Sequence, residues 1–391
     1  MENFHFQIPT HLYFGKGEER GIGAYLRPYA KKVLLHYGGG SIKKSGLYAI
    51  VTASLRDAGI AFVTLGGVVP NPRLSLVREG IALCRREGVE LILAVGGGSA
   101  IDSAKAIALG VCYEGDVWAL FNDDIVTGKA LPVATVLTIP AAGSETSASC
   151  VVTNEEAQLK YGHTDNAVRP VLSVINPAYF CTLPKNQIAN GVADMMSHIF
   201  ERYFTQTKHT DVTDELCEGV LRAILKNAVK VYDNPQDVDA WYEIGFGGSL
   251  AHNDLLGRGR EEDWACHGME HELSAIYDIP HGAGLAVLTP NWMETVAPEN
   301  QAIFGQFAHN VMGVQPSRDV EADIREGIAR LRAFYRRIGL ATTLTALGID
   351  GARLEEMAKK ATGAAFGDEY GQGHFKTLLW QDVLAIYRKA L

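Results

Sequence analysis

Two short stretches of the chain concentrate groups that can hold a cation. Residues 194–198 read DMMSH, and residues 267–281 read HGMEHELSAIYDIPH. Asp194 and His198 stand four apart, as do His267 and His271, and on a helix such pairs share one face. A carboxylate oxygen and an imidazole nitrogen at that spacing suit one hard or borderline divalent ion, and His267 and His281 can complete its shell. His281 lies between Pro280 and Gly282, so it is expected to leave the helix and reach back from a loop. A lone helical histidine is more often a surface or satisfied core residue. Here four of the twelve histidines are paired or nearly so, and two of them are followed directly by glycine. Cys266 adjoins His267, but adjacent helical residues point roughly 100° apart, so no shared ion is expected there.

A second chemistry is written in glycine. LLHYGGGS ends at Ser41, and LAVGGGSAIDSAKAIALG carries the same tetrad at 96–99. In a parallel α/β sheet the carboxyl ends of the strands hold the ligand crevice. Glycine there lets the backbone approach a phosphate, and the free N–H groups of the next helix's first turn favour its charge. Ser99 then sits near a helix start, with Asp102 three residues on as a capping or ribose-binding carboxylate. One such turn is most simply a strand-to-helix link; two on the same kind of sheet point to a dinucleotide. Neither copy matches G-x-G-x-x-G or the Walker A pattern.

These sites need elements to position them. Through residue 185, the runs KKVLLHY, AFVTL, VELILAV, PVATVLTI and VLSVI alternate with helical patterns, which predicts parallel strands and crossover helices. From 186 onwards strand runs are scarce, and NQIANGVADMMSHIFERYF, DELCEGVLRAILKNAVKVY and DIREGIARLRAFYRRIG repeat apolar residues at three and four spacing. The expected architecture is an α/β dinucleotide-binding domain over 1–185, with a Rossmann-like parallel sheet, followed by an all-α metal-binding domain over 186–391. Pro177 and Pro184 interrupt both patterns at the join. Trp264, Tyr277 and Trp292 are candidates either for lining a pocket or for core packing.

The 391 residues carry a formal charge of −9 and no Lys/Arg-rich run, which argues against a nucleic-acid groove or an anionic membrane surface and for a small-molecule partner. No stretch reaches the length of a spanning helix, and the six cysteines show no C-x-x-C pair. Reduced thiols and a cytoplasmic location are expected.

The stretches YGGGSIKKSG, VVPNPRL, AVGGGSAIDSAKAIA, IPAAGSETS, TLPKNQIANGVADMMSHIFERYF, WACHGMEHELSAIYDIPHGAGLAVLTP and DVLAIYRKAL span nearly the whole chain. Together they resemble the iron-containing, or group III, alcohol dehydrogenases, most closely their butanol dehydrogenase and aldehyde reductase branch. The resemblance implies that Asp194, His198, His267 and His281 ligate one divalent metal, Fe2+ or Zn2+, and that His271 is not a ligand but lies between metal and nicotinamide. It places cofactor contacts at Gly38, Gly39, Gly40, Ser41, Asn71, Gly97, Gly98, Ser99, Asp102, Thr138, Ser147, Lys160 and Tyr179. Ser147 departs from the asparagine of the aldehyde reductases. A homodimer is also implied.

The reading is therefore a metal-dependent NAD(P)(H) alcohol dehydrogenase or aldehyde reductase acting on primary alcohols and aldehydes, with the helical half closing one side of the cofactor cleft. The metal is expected to polarise the carbonyl oxygen while hydride passes from nicotinamide C4, with His271 relaying the proton. NADP(H) is expected to be accepted and preferred over NAD(H): neutral Ser41, followed by Lys43 and Lys44, stands where NAD enzymes commonly place a carboxylate. Within the resemblance, glycerol dehydrogenases and dehydroquinate synthases are alternatives. Outside it stand a metal-dependent hydrolase of a phosphorylated substrate and a non-catalytic metal-binding protein.

Overall fold

The computed structural model describes every residue from Met1 to Leu391. The chain divides into two compact units, Gln7–Leu183 and Met1–Phe6 with Pro184–Leu391. The first six residues, expected with the α/β part, thus belong to the helical one. There the Met1 ammonium donates to the Lys208 carbonyl at 2.6 Å and the Glu2 N–H to the Gly259 carbonyl at 2.8 Å.

The unit Gln7–Leu183 contains strands β1 (His11–Phe14), β2 (Lys32–Tyr37), β3 (Ala61–Leu65), β4 (Leu91–Gly96), β5 (Val133–Leu137), β6 (Ser149–Asn154), β7 (Leu159–Thr164) and β8 (Leu172–Ile175). Its helices are α1 (Ile22–Leu26), α2 (Ser41–Lys44), α3 (Leu47–Asp57), α4 (Leu74–Glu87), α5 (Gly98–Cys112) and α6 (Trp118–Asn122). Six strands form one sheet in the order β1-β8-β5-β4-β2-β3, every neighbouring pair parallel. The five Val/Leu/Ile runs are β2, β3, β4, β5 and β8. Continuous apolar runs are what a sheet covered on both faces requires. Val33, Leu35, Leu93, Val95 and Val136 pack with Ile22, Leu26, Val51 and Leu55 of α1 and α3, while the alternate residues Leu34, Ile92 and Ala94 are just as buried.

The chain runs from β2 outward to β3 and then returns to place β4 on the other side of β2. That reversal is a topological switch point, where open α/β sheets bind ligands. Both glycine tetrads leave the sheet there, from paired strands whose register sets Tyr37 opposite Val95. Two further features were not expected from sequence: β1, and the antiparallel hairpin β6–β7. β1 is four residues on a sheet edge, and the hairpin mixes polar and apolar residues without a continuous apolar run.

The second unit is built from helices α7 (Lys185–Tyr203), α8 (Asp211–Asp233), α9 (Val238–Ala251), α10 (Ala265–Tyr277), α11 (His281–Val296), α12 (Gln301–Asn310), α13 (Val320–Arg337), α14 (Leu354–Ala361) and α15 (Trp380–Lys389). None is long and apolar enough to cross a membrane. Trp292 is a core residue rather than a pocket wall: it is 1 % exposed, with ring centroids of Phe204, Phe304 and Phe375 5.8–6.1 Å away. α11 crosses α7 at Gly282, where a Cβ would come within 2.0 Å of the Asn190 carbonyl oxygen. Glycine is required there by the close approach of two backbones, and the contact lies one turn before Asp194 and one residue after His281.

Candidate active site

The helical unit brings together three of the four acid and imidazole groups without qualification. One ligand atom each from Asp194, His267 and His281 lies within 4.8 Å of the others. His198 joins through Asp194, its Nε2 lying 3.3 Å from Asp194 Oδ1, and its ring centroid is 4.5 Å from that of His267. α7 presents Asp194 and His198 one turn apart, and α10 presents His267 and His271. His281 does not reach back from a loop. It is the first residue of α11, with Pro280 at the cap, because a proline before a helix sets the extended entry without ending anything.

Asp194, His198 and His267 are buried, 5–6 % exposed, and Asp194 Oδ1, His198 Nδ1 and His267 Nε2 have no hydrogen-bond partner. Three orphaned polar atoms in one buried cluster cost about 1–3 kcal/mol each unless something else satisfies them. Burial lowers the His267 imidazole to about 3, with His281 adding to the effect, and lowers His198 well below its ordinary value. Both rings are therefore neutral and offer a lone pair. A carboxylate with neutral imidazoles is the donor set of a borderline divalent ion, so these residues fit a metal.

Two glutamates that sequence reasoning missed orient the rings. His267 Nδ1 lies 2.9 Å from Glu201 Oε1, which also accepts the His267 backbone N–H at 2.9 Å. Its Nε2 is thereby left for the cluster. His281 Nδ1 bonds Glu270, whose other oxygen accepts from Ser274, and its Nε2 lies 4.0 Å from Asp194 Oδ1. Carboxylates behind histidine ligands set tautomer and basicity. The sequence did carry a signal: each glutamate stands three residues after a histidine, in HIFE and HGME. The pairing is crossed, however, since Glu201 serves His267 and Glu270 serves His281. His252 is stacked on His198 at 4.1 Å between centroids, and Trp264 stands beside both. His271 is half-buried, its ring centroid 5.6 Å from that of His281.

In the α/β unit, Gly38–Gly40 lead into α2, with Ser41 as its exposed first residue. Lys43 Nζ lies 5.4 Å over the rings of both Tyr37 and Tyr48, so of the two lysines Lys44 is the one free of an aromatic partner here. Gly97 caps α5, and a Cβ there would meet Ile139 at 2.9 Å; Gly98 and Ser99 form the first turn. The Thr138 N–H donates to the Gly96 carbonyl at 2.9 Å, which sets Thr138 beside that turn. Asp102 is not a cap. It accepts from the Ser144 hydroxyl at 2.5 Å and the Val151 N–H at 3.2 Å. Fully buried Lys105, also missed, donates to Ser144 Oγ and to the carbonyls of Ser147 and Ser149 at 2.8–3.0 Å, binding that loop to α5. Burial lowers its ammonium to about 8, against the pull of Asp102. Asn71, with φ of 55°, is buried just before Pro72, whose carbonyl accepts from Thr153, the cross-strand partner of Lys160. Tyr179 packs against the core cluster that includes Tyr37 and Ile42, its hydroxyl donating to Glu19 at 3.3 Å.

A parallel sheet with glycine loops at its switch point and a helical unit with an Asp/His cluster together define a dehydrogenase of the two-unit kind. The comparisons are specific. Residues 9–177 match the family described as iron-containing alcohol dehydrogenase, and residues 188–391 the Fe-containing alcohol dehydrogenase family, C-terminal. The chain is 42% identical to NADH-dependent butanol dehydrogenase A of Clostridium acetobutylicum, with 100% of both chains covered. It is 33% identical to NADPH-dependent aldehyde reductase YqhD of Escherichia coli, over 97% of each. The crystal structure of NADH-dependent butanol dehydrogenase A from Thermotoga maritima superposes with a TM-score of 0.96 at 38% identity, covering 100% of this chain and 99% of that one. The chain belongs to the iron-containing alcohol dehydrogenase family, in its butanol dehydrogenase and aldehyde reductase branch, and is an alcohol and aldehyde oxidoreductase.

Proposed function

We propose that this protein interconverts small primary alcohols and aldehydes using a nicotinamide cofactor and one divalent metal held by Asp194, His198, His267 and His281. The observation that carries the reading is the group of buried ligand atoms on Asp194, His198 and His267 that lack a hydrogen-bond partner, converging with His198 Nε2 3.3 Å from Asp194 Oδ1. When bound, the ion supplies a Lewis acid for the substrate oxygen and the nicotinamide supplies or accepts hydride. The chain's own residues do the positioning. Glu201 and Glu270 hold the His267 and His281 rings with Nε2 forward. The glycine loops after β2 and β4 leave backbone N–H groups open to a pyrophosphate, and Lys105 keeps Asp102 and the 144–149 loop in place. His271, outside the Asp194 cluster, holds or passes a proton at an imidazole nitrogen.

Fe2+ and Zn2+ both suit the donor set, and the family's name favours iron. Relatives at 39–43% identity carry NADH in their names and the aldehyde reductase at 33% carries NADPH. We therefore propose that NADPH is accepted, on the strength of Ser41 and Lys44. A cytoplasmic homodimer completes the reading on resemblance alone. The test is to offer butanal with NADPH or NADH and follow the nicotinamide absorbance. Consumption of cofactor supports the reading; release of phosphate from phosphorylated substrates without cofactor would replace it by a hydrolase.

A further inference from the structure

Trp264 occupies a backbone conformation that bulky residues rarely adopt, with φ 66° and ψ 8°, immediately before α10. Such a conformation costs on the order of 1–3 kcal/mol and persists only where the surroundings over-determine it. They do so here. The indole N–H donates to Glu262 Oε2 at 2.9 Å, and the Arg202 guanidinium lies 4.7 Å over the ring. Arg202 is itself buried, 1 % exposed, and donates from Nη1 to the His198 carbonyl at 2.7 Å. One buried arginine thus fixes both the indole and the backbone of a metal-ligand candidate.

The ring is aimed at the cluster. Its centroid lies 5.1 Å from His267 and 5.7 Å from His198, with interplanar angles of 68° and 66°, so it meets both imidazoles edge to face. It is 5.7 Å from His252. Those three histidines are 5–8 % exposed, whereas Trp264 is only half-buried. The indole is therefore the partly open member of the group: it lies against the imidazoles, it is held by Arg202 and Glu262, and part of it remains exposed. Around the cluster it is an apolar ring among carboxylates, imidazoles and the Arg202 guanidinium. A rigid apolar wall beside a polar reacting centre selects by shape, since a misfitting branch or ring meets a surface that cannot move.

We propose that Trp264 is a specificity-determining residue of this site, restricting the substrate to slim, unbranched aliphatic aldehydes and primary alcohols; this rests on the metal-site reading above. Trp264→Gly is the informative variant, because glycine adopts a φ of 66° without strain and so removes the ring while easing the backbone. In metal-loaded enzyme, its kcat/KM for benzaldehyde relative to butanal should rise roughly tenfold or more, and Trp264→Phe should move the same way by less. Metal content should equal that of the parent. Cobalt(II) added to chelator-stripped parent protein should quench a tryptophan emission component that Trp264→Phe lacks. An unchanged benzaldehyde-to-butanal ratio in either variant that holds metal overturns the proposal, as does loss of metal from both, which would make Trp264 a support for the ligands. A parent protein that binds no metal defeats the site reading instead, and the stripped-protein titration reports that separately.

Discussion

Glu201 and His267 come from helices α7 and α10, more than sixty residues apart in sequence, yet one carboxylate oxygen binds both the ring Nδ1 and the backbone N–H of the histidine, each at 2.9 Å. The bond selects the tautomer. With Nδ1 committed to the glutamate, Nε2 carries the lone pair toward Asp194, and ring and main chain are anchored to the same point.

Glu201→Gln should keep the shape and lose the charge. Metal affinity should fall about 10- to 100-fold, with the fold intact by circular dichroism. Chelator competition on the folded variant measures this; an unchanged affinity would make Glu201 a packing residue.

Gly282→Ala should act on the same site from the other side. The added Cβ would lie 2.0 Å from the Asn190 carbonyl oxygen, so α11 must move off α7 and carry His281 away from Asp194. Displacements on the order of 1 Å at a reacting centre cost about 100-fold in turnover. Activity should therefore drop by about that factor, together with metal affinity. Wild-type kinetics with full metal would show that the helices tolerate the shift.

Much of this is legible in the sequence. Asp194 with His198, and His267 with His271, advertise themselves because helical spacing turns sequence separation into a shared face, and β2 to β5 and β8 do so because doubly covered strands are continuously apolar. Glu201, Glu270, Lys105 and Trp264 did not. Their roles depend on which helix lies against which, and the crossed pairing of HIFE with His267 and of HGME with His281 is fixed by tertiary packing rather than by spacing. The position of His281 is not legible from spacing, because a proline that reads as the end of one helix here opens the next.

Ser41→Asp tests cofactor choice. A carboxylate about 4 Å from a 2′-phosphate, at an effective dielectric of about 20, is repelled by at most roughly 4 kcal/mol before screening. Ser41 is exposed, so a loss of about one to two powers of ten for NADPH is expected, with NADH far less affected. Equal weakening of both, or a parent enzyme that ignores NADPH, would move the phosphate elsewhere.

Acid stability should register His36. It is fully buried, with Nδ1 2.9 Å from the Leu65 carbonyl and Nε2 2.8 Å from Ser103 Oγ, and burial lowers it from 6.5 to about 4. Because the folded value lies below the unfolded one, the unfolded chain takes up the proton first. The stabilisation of the neutral ring is complete above about pH 6.5 and is lost as pH falls toward 4. Between about pH 7 and pH 5 the loss should be roughly 2 kcal/mol. Denaturant melts of parent and His36→Gln at both pH values should show the parent losing more by that amount; parallel losses would assign the acid sensitivity to other groups.

The central claim is that Asp194, His198, His267 and His281 hold an ion the reaction needs, with His271 outside that shell. Metal content of anaerobically purified protein, measured beside butanal-dependent NAD(P)H oxidation for parent, His281→Ala and His271→Ala, tests it most directly. The parent should carry one iron or zinc per chain. His281→Ala should lose metal and activity together, while His271→Ala should keep its metal and lose roughly ten- to ten-thousand-fold in turnover. Full activity in a preparation shown to be metal-free would contradict the account.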